Sequence, residues 1–170
     1  MKRPENNEFA EFYSGYVSLV PETQIIDILS GQPGELRAML SSVPEEKGGF
    51  TYADGKWTLK QVLGHIIDGE RVFAYRAHRI SHGDSTPLAG FDQNTYIENG
   101  RSGQRTISGL LEEFDLQRRS NVLLFASLRD ADWDRRGTAS DAEITVRALA
   151  FIMAGHVRHH LAILRSRYLA

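Results

Sequence analysis

The sequence predicts an all-α protein built as a four-helix bundle, and three observations indicate this fold class. Four stretches of about 20 residues carry apolar side chains at helical spacing. The proline and glycine residues collect mainly between these stretches, where they end helices and form turns. No run of residues shows the sustained alternation of apolar and polar side chains that is typical of a strand. Four amphipathic helices of this length pack as a bundle around an apolar core.

Local signals place the ends of these helices. Their expected ranges are residues 22–42, 58–81, 106–127 and 145–168. Gly31 and Pro33 fall inside the first range, and we expect them to interrupt that helix. Thr58 and Gln61 form the pattern of a capping box, and Thr145 is a suitable cap for the last helix.

Length and composition predict one domain over residues 1–170. A chain of 170 residues, 41% of them hydrophobic, buries enough apolar surface for one core without disulfides or an obligatory structural metal. The chain has no cysteine, which excludes a disulfide framework, a thiolate zinc site and a cysteine nucleophile. Any metal site must therefore use histidine, aspartate or glutamate side chains.

The charge balance argues against nucleic acid as a partner. The 20 Lys and Arg residues against 22 Asp and Glu residues give a net charge of -2, whereas phosphate-backbone binders usually carry a basic excess. No apolar run approaches the ~20 residues that span a bilayer, and the first residues lack the apolar region of a signal peptide. We therefore expect a cytoplasmic protein without a membrane partner.

The connection over residues 82–105 is long for a loop between two helices. Connections beyond about 12–15 residues are usually functional or mobile, so this one is a candidate wall or lid of a site. Phe91, Asp92 and Gln93 lie within it. These three residues either line the mouth of a pocket or form a fixed turn that supports the bundle.

The histidines of the last helix are the most informative residues in the chain. Three of the six histidines stand at positions 156, 159 and 160. In helical projection His156 and His160 fall within the apolar arc. The opposite side carries Arg147, Arg158 and Arg165. Because His156 and His160 are four residues apart, both imidazoles reach one point in the core, and a divalent metal is a partner that they can share.

A third ligand would have to come from another helix. His65, in the second helix, is the candidate, although it lies beside the densest apolar arc and periodicity does not fix the direction of its side chain. His159 is an alternative second ligand, but its position on the flank of the arc favours a supporting or exposed role. His78 and His82, near a helix end, are expected at the surface.

Asp68 lies one helical turn beyond His65, and three roles are open to it. Its carboxylate is a candidate general base, an acceptor that orients a ligand imidazole, or an ion-pair partner of Arg71. Glu70 and Arg71 are expected to be solvated or to tie two helices together.

Elsewhere, charged residues of the third helix should form a solvated face, and both tryptophans should anchor packing. These residues are Glu112, Glu113, Arg118, Arg119, Trp57 and Trp133.

Four segments carry a resemblance to a known family. They are Gly-Lys-Trp-Thr-Leu-Lys-Gln-Val-Leu-Gly-His-Ile-Ile-Asp-Gly-Glu-Arg at 55–71, Gly-Phe-Asp-Gln at 90–93, Ile-Thr-Val-Arg at 144–147 and Ala-Gly-His-Val-Arg-His-His at 154–160. Through them the chain resembles, over almost its whole length, the DinB-like (DinB/YfiT) superfamily of bacterial four-helix-bundle metalloproteins. The last segment is the most specific.

The resemblance implies a ligand set, a fold and a class of partners. Three histidines that bind a divalent metal such as zinc or nickel in the family fall on His65, His156 and His160. The resemblance also implies a bundle with a long crossover connection and a homodimer. Some related proteins transfer low-molecular-weight thiols such as bacillithiol or mycothiol, and others are described as metal-dependent hydrolases.

A metal site of three histidines leads to three hypotheses of function. Three imidazoles leave coordination positions open, so a bound metal would lower the pKa of a thiol or of water. The leading hypothesis is a transferase of a low-molecular-weight thiol to small electrophiles, in detoxification or stress, with the thiol supplied by a cosubstrate. The second is a metal-dependent hydrolase. The third is a non-catalytic metal-binding stress-response bundle in which the ion fixes two helices.

Overall fold

Within the part of the chain that the structure describes, seven α-helices and one hairpin make up the fold. The structure, a computed structural model, describes residues 2–170. In chain order the helices are α1 (Ser14–Ser18), α2 (Ile25–Leu40), α3 (Leu59–Ser81), α4 (Gln93–Asn99), α5 (Ile107–Ala126), α6 (Asp130–Trp133) and α7 (Val146–Ile163), with a π-helical turn (Leu164–Tyr168) after α7. Within residues 2–170 no helix is both long and apolar enough to cross a membrane.

The four long helices α2, α3, α5 and α7 form the predicted bundle. Helix α3 packs against α5 and α7, and α2 packs against the same two helices. The expected caps are present: Thr58 and Gln61 form a capping box at α3, and the Thr145 hydroxyl accepts a hydrogen bond from the Ala148 backbone at α7. The short helix α1 lies on α7.

The expected interruption of the first long helix was wrong, because α2 runs without a break through Gly31 and Pro33. A proline inside a helix removes the hydrogen bond to the carbonyl four residues earlier, which here belongs to Leu29. Arg118 of α5 supplies a replacement donor, since its Nη1 lies 3.4 Å from the Leu29 carbonyl oxygen. A neighbouring helix thus compensates for Pro33.

A two-stranded antiparallel hairpin, which the sequence did not predict, joins α6 to α7. Its strands β1 (Arg136–Ala139) and β2 (Ala142–Thr145) have four residues each, too few for a clear alternating pattern. Ser140 and Asp141 form the turn with φ of 53° and 60°, as hairpin turns of the type I′ class require. Leu88 of the long connection pairs with this hairpin through backbone hydrogen bonds to Thr138 and Ser140.

The apolar interior is divided into two clusters with a polar layer between them. The first cluster contains Phe73 and Ile80 of α3 together with Leu149 to Ala154 of α7. The second contains five α3 residues and two α7 residues, namely Leu59, Val62, Leu63, Ile66, Ile67, Val157 and Leu161. The polar layer consists of the buried side chains of Gln32, His65, Glu70, Arg118, His156 and His160. A candidate site therefore lies at mid-height in the bundle.

Two arginines expected on solvated helix faces are buried. Arg118 is 0% exposed and donates two hydrogen bonds of 2.7 Å to the carboxylate of Glu70. Arg147 donates to the carboxylate of Glu8, at 2.9 Å and 3.1 Å, and also pairs with Asp134. Burial of a guanidinium is possible because each carboxylate neutralises it where water is excluded.

Candidate metal centre

Three histidines from two helices meet in the polar layer. His65 comes from α3, and His156 and His160 come from successive turns of α7; they are 5%, 4% and 7% exposed. One ring nitrogen of each lies within 4.8 Å of those of the other two. The Nε2 atoms of His65 and His156 are 2.9 Å apart. The structure thus brings together all three residues that the sequence and the family resemblance singled out.

Two glycines let the helices approach closely enough for this arrangement. A Cβ atom at Gly69, one turn after His65, would lie 2.8 Å from Cε1 of the His156 ring. A Cβ atom at Gly155 would lie 2.0 Å from the carbonyl oxygen of Tyr16 in α1. The absence of a side chain at each position therefore lets α3 and α1 pack against the turn of α7 that carries His156.

Burial keeps these imidazoles neutral near pH 7. Loss of hydration on burial lowers the pKa of His65 to about 4 and that of His160 to about 3, and nearby histidines add to the effect. The pKa of His156 is also well below its usual value, chiefly through burial. A neutral imidazole has a free nitrogen lone pair, which is the form that binds a metal.

The hydrogen bonding of His160 is what a metal ligand would show. Within residues 2–170, neither Nδ1 nor Nε2 of His160 has a hydrogen-bond partner. Leaving a buried polar atom unpaired costs about 1–3 kcal/mol on protein mutational scales. Three converging imidazole nitrogens are a donor set that suits divalent zinc, nickel, copper or iron. The residues present therefore fit a bound divalent metal.

A cavity of about 600 Å³ opens beside the histidines. His65 and His156 form part of its wall, and aromatic rings form much of the remainder. The other residues that line it include Phe12, Tyr13, Tyr16, Phe73, Phe91, Asp92 and Gln93. His160 faces a second cavity of about 250 Å³, together with Trp57 and Tyr168. Small molecules thus have room to approach the three histidines.

The long connection supplies part of this wall, as the sequence suggested. Phe91 and Gln93 line the cavity, and so does Asp92, which also caps α4 by accepting a hydrogen bond of 2.8 Å from the Asn94 backbone. These backbone hydrogen bonds lower the pKa of Asp92. Both interpretations of this segment therefore apply, because it is a fixed turn and a cavity wall at once.

The remaining candidates lie outside the triad. Asp68 is 3.6 Å from Arg71 and does not line the cavity beside His65, so the ion-pair role is the one that the structure supports. Burial raises the pKa of Asp68. His159 is half-buried on the flank of α7, next to Tyr16. His78 and His82 are exposed, as expected.

Aromatic residues near the start of the chain are the main feature that the sequence analysis left unassigned. The Tyr16 ring meets the His156 ring edge-on, with 5.5 Å between centroids, and burial raises the pKa of its hydroxyl. Phe73 contacts the same imidazole, at 5.7 Å. Trp57 is half-buried with its ring centroid 4.9 Å from that of His65, whereas Trp133 is a buried anchor as expected. The run of aromatic residues was visible in the sequence, but the side of the bundle that it covers was not.

We expect Gly155→Ala to destabilise the protein by about 1–3 kcal/mol, because the added methyl group overlaps a backbone carbonyl that cannot rotate away. Urea unfolding measures the change. Gly34→Ala in α2 is the matched control, since a Cβ there meets nothing within 4 Å and should stabilise the helix by about 0.5–1 kcal/mol. Equal effects of the two variants would contradict the close approach of α1 to α7.

Comparison with known proteins places this arrangement in a family. The family model described as the DinB superfamily matches residues 28–164, which include all three histidines. This chain belongs to the DinB superfamily. The match confirms the family that the four sequence segments suggested.

Two curated relatives of this DinB-superfamily chain are named as metal-dependent hydrolases. One is the "Putative metal-dependent hydrolase GK0616" of Geobacillus kaustophilus, 24% identical over 143 residues that cover 83% of this chain and 80% of the relative. YfiT of Bacillus subtilis, named in the same way, is 24% identical over 81% of this chain and 78% of its own length.

Solved structures support the same fold assignment. The structure of YfiT, described as "a probable metal-dependent hydrolase with an unusual four-helix bundle topology", superimposes with a TM-score of 0.76 at 20% identity, over 95% of this chain and 88% of that one. A mycothiol-dependent maleylpyruvate isomerase superimposes with a TM-score of 0.68 at 13% identity, over 85% of this chain. This chain spans 61% of that isomerase. At these identities the likeness establishes the bundle fold.

Proposed function

We propose that this DinB-superfamily protein is a metal-dependent enzyme that transfers a low-molecular-weight thiol to a small electrophile. His65, His156 and His160 would hold the divalent metal. The observation that carries the proposal is the convergence of three neutral, buried imidazoles, two of which line a cavity of about 600 Å³. The mycothiol dependence of a structurally similar isomerase supports a thiol as the cosubstrate.

A divalent metal bound there supplies Lewis-acid chemistry, lowering the pKa of a thiol or water molecule that it binds. The chain itself contributes the shape and polarity of the cavity. Phe73 and Tyr16 contact His156 and keep water from that side of its ring. The Tyr16 hydroxyl, whose pKa burial raises further above neutral pH, is protonated and available as a hydrogen-bond donor to a bound substrate.

The acid–base groups of the cavity favour a thiol over water as the nucleophile. Metal-dependent hydrolysis commonly uses a nearby carboxylate as general base, as the glutamate of the zincin motif shows. Among the described residues that line this cavity, Asp92 is the one acid, and its capping hydrogen bonds lower its pKa and weaken it as a base. A thiol has an unperturbed pKa of about 8.5, so it needs less assistance to lose its proton than water does.

Hydrolysis remains the second candidate function because both curated relatives are named as metal-dependent hydrolases. It predicts turnover of an activated ester without any thiol, and loss of that turnover in His160→Ala. A non-catalytic metal-binding bundle, the third hypothesis, predicts strong stabilisation by the metal and no position on the metal that accepts an added thiol.

Cobalt substitution tests the thiol proposal directly. We expect cobalt-loaded protein to develop a sulfur-to-cobalt absorption band when glutathione, coenzyme A, bacillithiol or mycothiol is added, because a thiolate enters the open coordination position. Ophthalmic acid, which replaces the glutathione thiol with a methyl group, is the matched control. Turnover with 1-chloro-2,4-dinitrobenzene should then appear only with the thiol that produces the band.

Two outcomes would contradict thiol transfer. Cobalt-loaded protein that shows no band with any of these thiols would oppose it. Ester hydrolysis that proceeds equally well with and without thiol, and that depends on His160, would replace it with the hydrolase function.

A further inference from the structure

A buried guanidinium without a carboxylate partner lies on α3, eleven residues beyond His65. Helix α3 carries Arg71, Arg76 and Arg79 on successive turns. Arg71 pairs with Asp68 and Glu113, and Arg79 pairs with Asp84. Arg76 is 2% exposed and forms no ion pair within residues 2–170.

The hydrogen bonds of Arg76 go to neutral groups. Its Nη2 donates to the Ala89 carbonyl oxygen at 2.9 Å and to Ser140 Oγ at 2.8 Å, and its Nη1 lies 3.4 Å from the Tyr13 hydroxyl. A buried charge is costly unless a charge of opposite sign compensates it. The other two buried arginines of the bundle, Arg118 and Arg147, each have such a carboxylate.

Arg76 stands at the boundary between two cavities. It lines a cavity of about 560 Å³ that also contains Val72 and Leu88. This cavity shares Gly90 and Phe91 with the larger one that includes His65 and His156. The partners Tyr13 and Ser140 line that larger cavity. Tyr13 and Ser140 therefore link the two sides, because both residues line the cavity with the histidines and their hydroxyl groups accept hydrogen bonds from the Arg76 guanidinium.

The turn of the hairpin fixes one of these partners. Ser140 has a positive φ of 53°, which costs energy for a residue other than glycine, and its backbone amide donates to the Leu88 carbonyl oxygen at 3.0 Å. This conformation holds the Ser140 hydroxyl against the Arg76 guanidinium. Because the hydroxyl oxygens of Ser140 and Tyr13 accept from Arg76, each hydroxyl keeps its own proton to donate to a ligand.

We infer that Arg76, with the hydroxyls of Tyr13 and Ser140, binds a carboxylate of the substrate. The inference builds on the proposed function and defines its substrate class as small molecules with a carboxylate at one end and the reacting group at the other. Both Nη2 hydrogens of Arg76 are donated to Ala89 and Ser140, so a carboxylate would take a charge-assisted hydrogen bond from another N–H of the guanidinium and further ones from the two hydroxyls. A singly charged carboxylate fits better than a doubly charged phosphate, because one unpaired cation is present and Asp68 lies in the same cavity.

A titration followed by nuclear magnetic resonance tests the inference on the intact protein. The Nε–Hε signal of Arg76 is followed in arginine-labelled protein as succinate, succinamide or inorganic phosphate is added. We expect succinate to shift this signal to saturation, the neutral diamide to leave it unchanged, and phosphate to bind more weakly than succinate.

Substitutions of Arg76 test the inference in a second way. Arg76→Gln should weaken succinate binding by about tenfold or more, as loss of a hydrogen bond to a charged group does, while Arg76→Lys should retain part of it. Arg167→Gln, which changes the same charge at an exposed position, should bind succinate as the unmodified protein does. If Arg76→Gln does not fold, the comparison of succinate with succinamide on the unmodified protein decides the question.

The results separate this inference from the proposed metal chemistry. Succinate binding should persist in His156→Ala, which lacks one of the proposed metal ligands. If the unmodified protein binds no metal, the proposed function is overturned and the carboxylate site is left intact. Equal responses to succinate and succinamide, or tighter binding of phosphate, would overturn the carboxylate site. In that case Arg76 serves to hold the hairpin turn and the connection against α3.

Discussion

Replacement of His65, His156 or His160 by alanine is expected to release about one equivalent of metal per chain. Each imidazole is one of three donors that converge within 4.8 Å, and helix positions elsewhere in the described residues offer no comparable cluster. Loss of a supporting residue behind a metal ligand commonly costs about 10–100-fold in affinity, and loss of a ligand should exceed that. Elemental analysis of protein purified without a metal column gives the stoichiometry.

The neighbouring histidine provides the control for this experiment. His159→Ala removes a half-buried imidazole from the same turn of α7, yet it should leave the metal content unchanged. If the unmodified protein contains no metal and takes up neither zinc nor nickel, the basis of both enzyme proposals is removed. If His156→Ala and His159→Ala lose the metal while His160→Ala retains it, the second ligand on α7 is His159, the alternative that the sequence left open.

We expect Arg118→Met to reduce the free energy of unfolding by about 3–5 kcal/mol. The substitution leaves the Glu70 carboxylate, 2% exposed, with no cation beside it. It also removes the donor to the Leu29 carbonyl oxygen, which Pro33 leaves without its helical partner. Urea unfolding of metal-free protein measures the change without a contribution from the metal.

Two further variants test whether the buried charge of Glu70 causes this loss of stability. Arg119→Met, at the next and exposed position of α5, should change stability by no more than about 0.5 kcal/mol. Arg118→Met combined with Glu70→Met should recover much of the loss, because no charge is then left buried. A single Arg118→Met variant as stable as the unmodified protein would mean that water reaches Glu70.

Local sequence patterns were sufficient to predict the long helices and the caps. Thr58 and Thr145 each precede an apolar periodic run, and each caps the helix that follows, as predicted. The i, i+4 spacing of His156 and His160 likewise fixed their common direction into the core. These features depend on residues within one or two turns of each other, so one sequence contains the information.

Features that depend on distant partners could not be predicted in this way. Arg118 pairs with Glu70, which is 48 positions away in the chain. Arg147 pairs with Glu8, which is 139 positions away. A helical projection places an arginine outside by default because it cannot represent such a partner. The direction of His65 required the same kind of information, and the family resemblance supplied it before the structure did.

The polar layer between the two apolar clusters also bears on how the bundle unfolds. Local opening of a protein follows units that are held together mainly by their own apolar contacts. Here α3 and α7 each pass through both clusters, and their histidines and the Glu70–Arg118 pair lie where one cluster meets the other. A metal that joins α3 to α7 at that level would link the two halves into one cooperative unit. Without it, each end of the bundle is free to open and exchange its amide hydrogens on its own timescale.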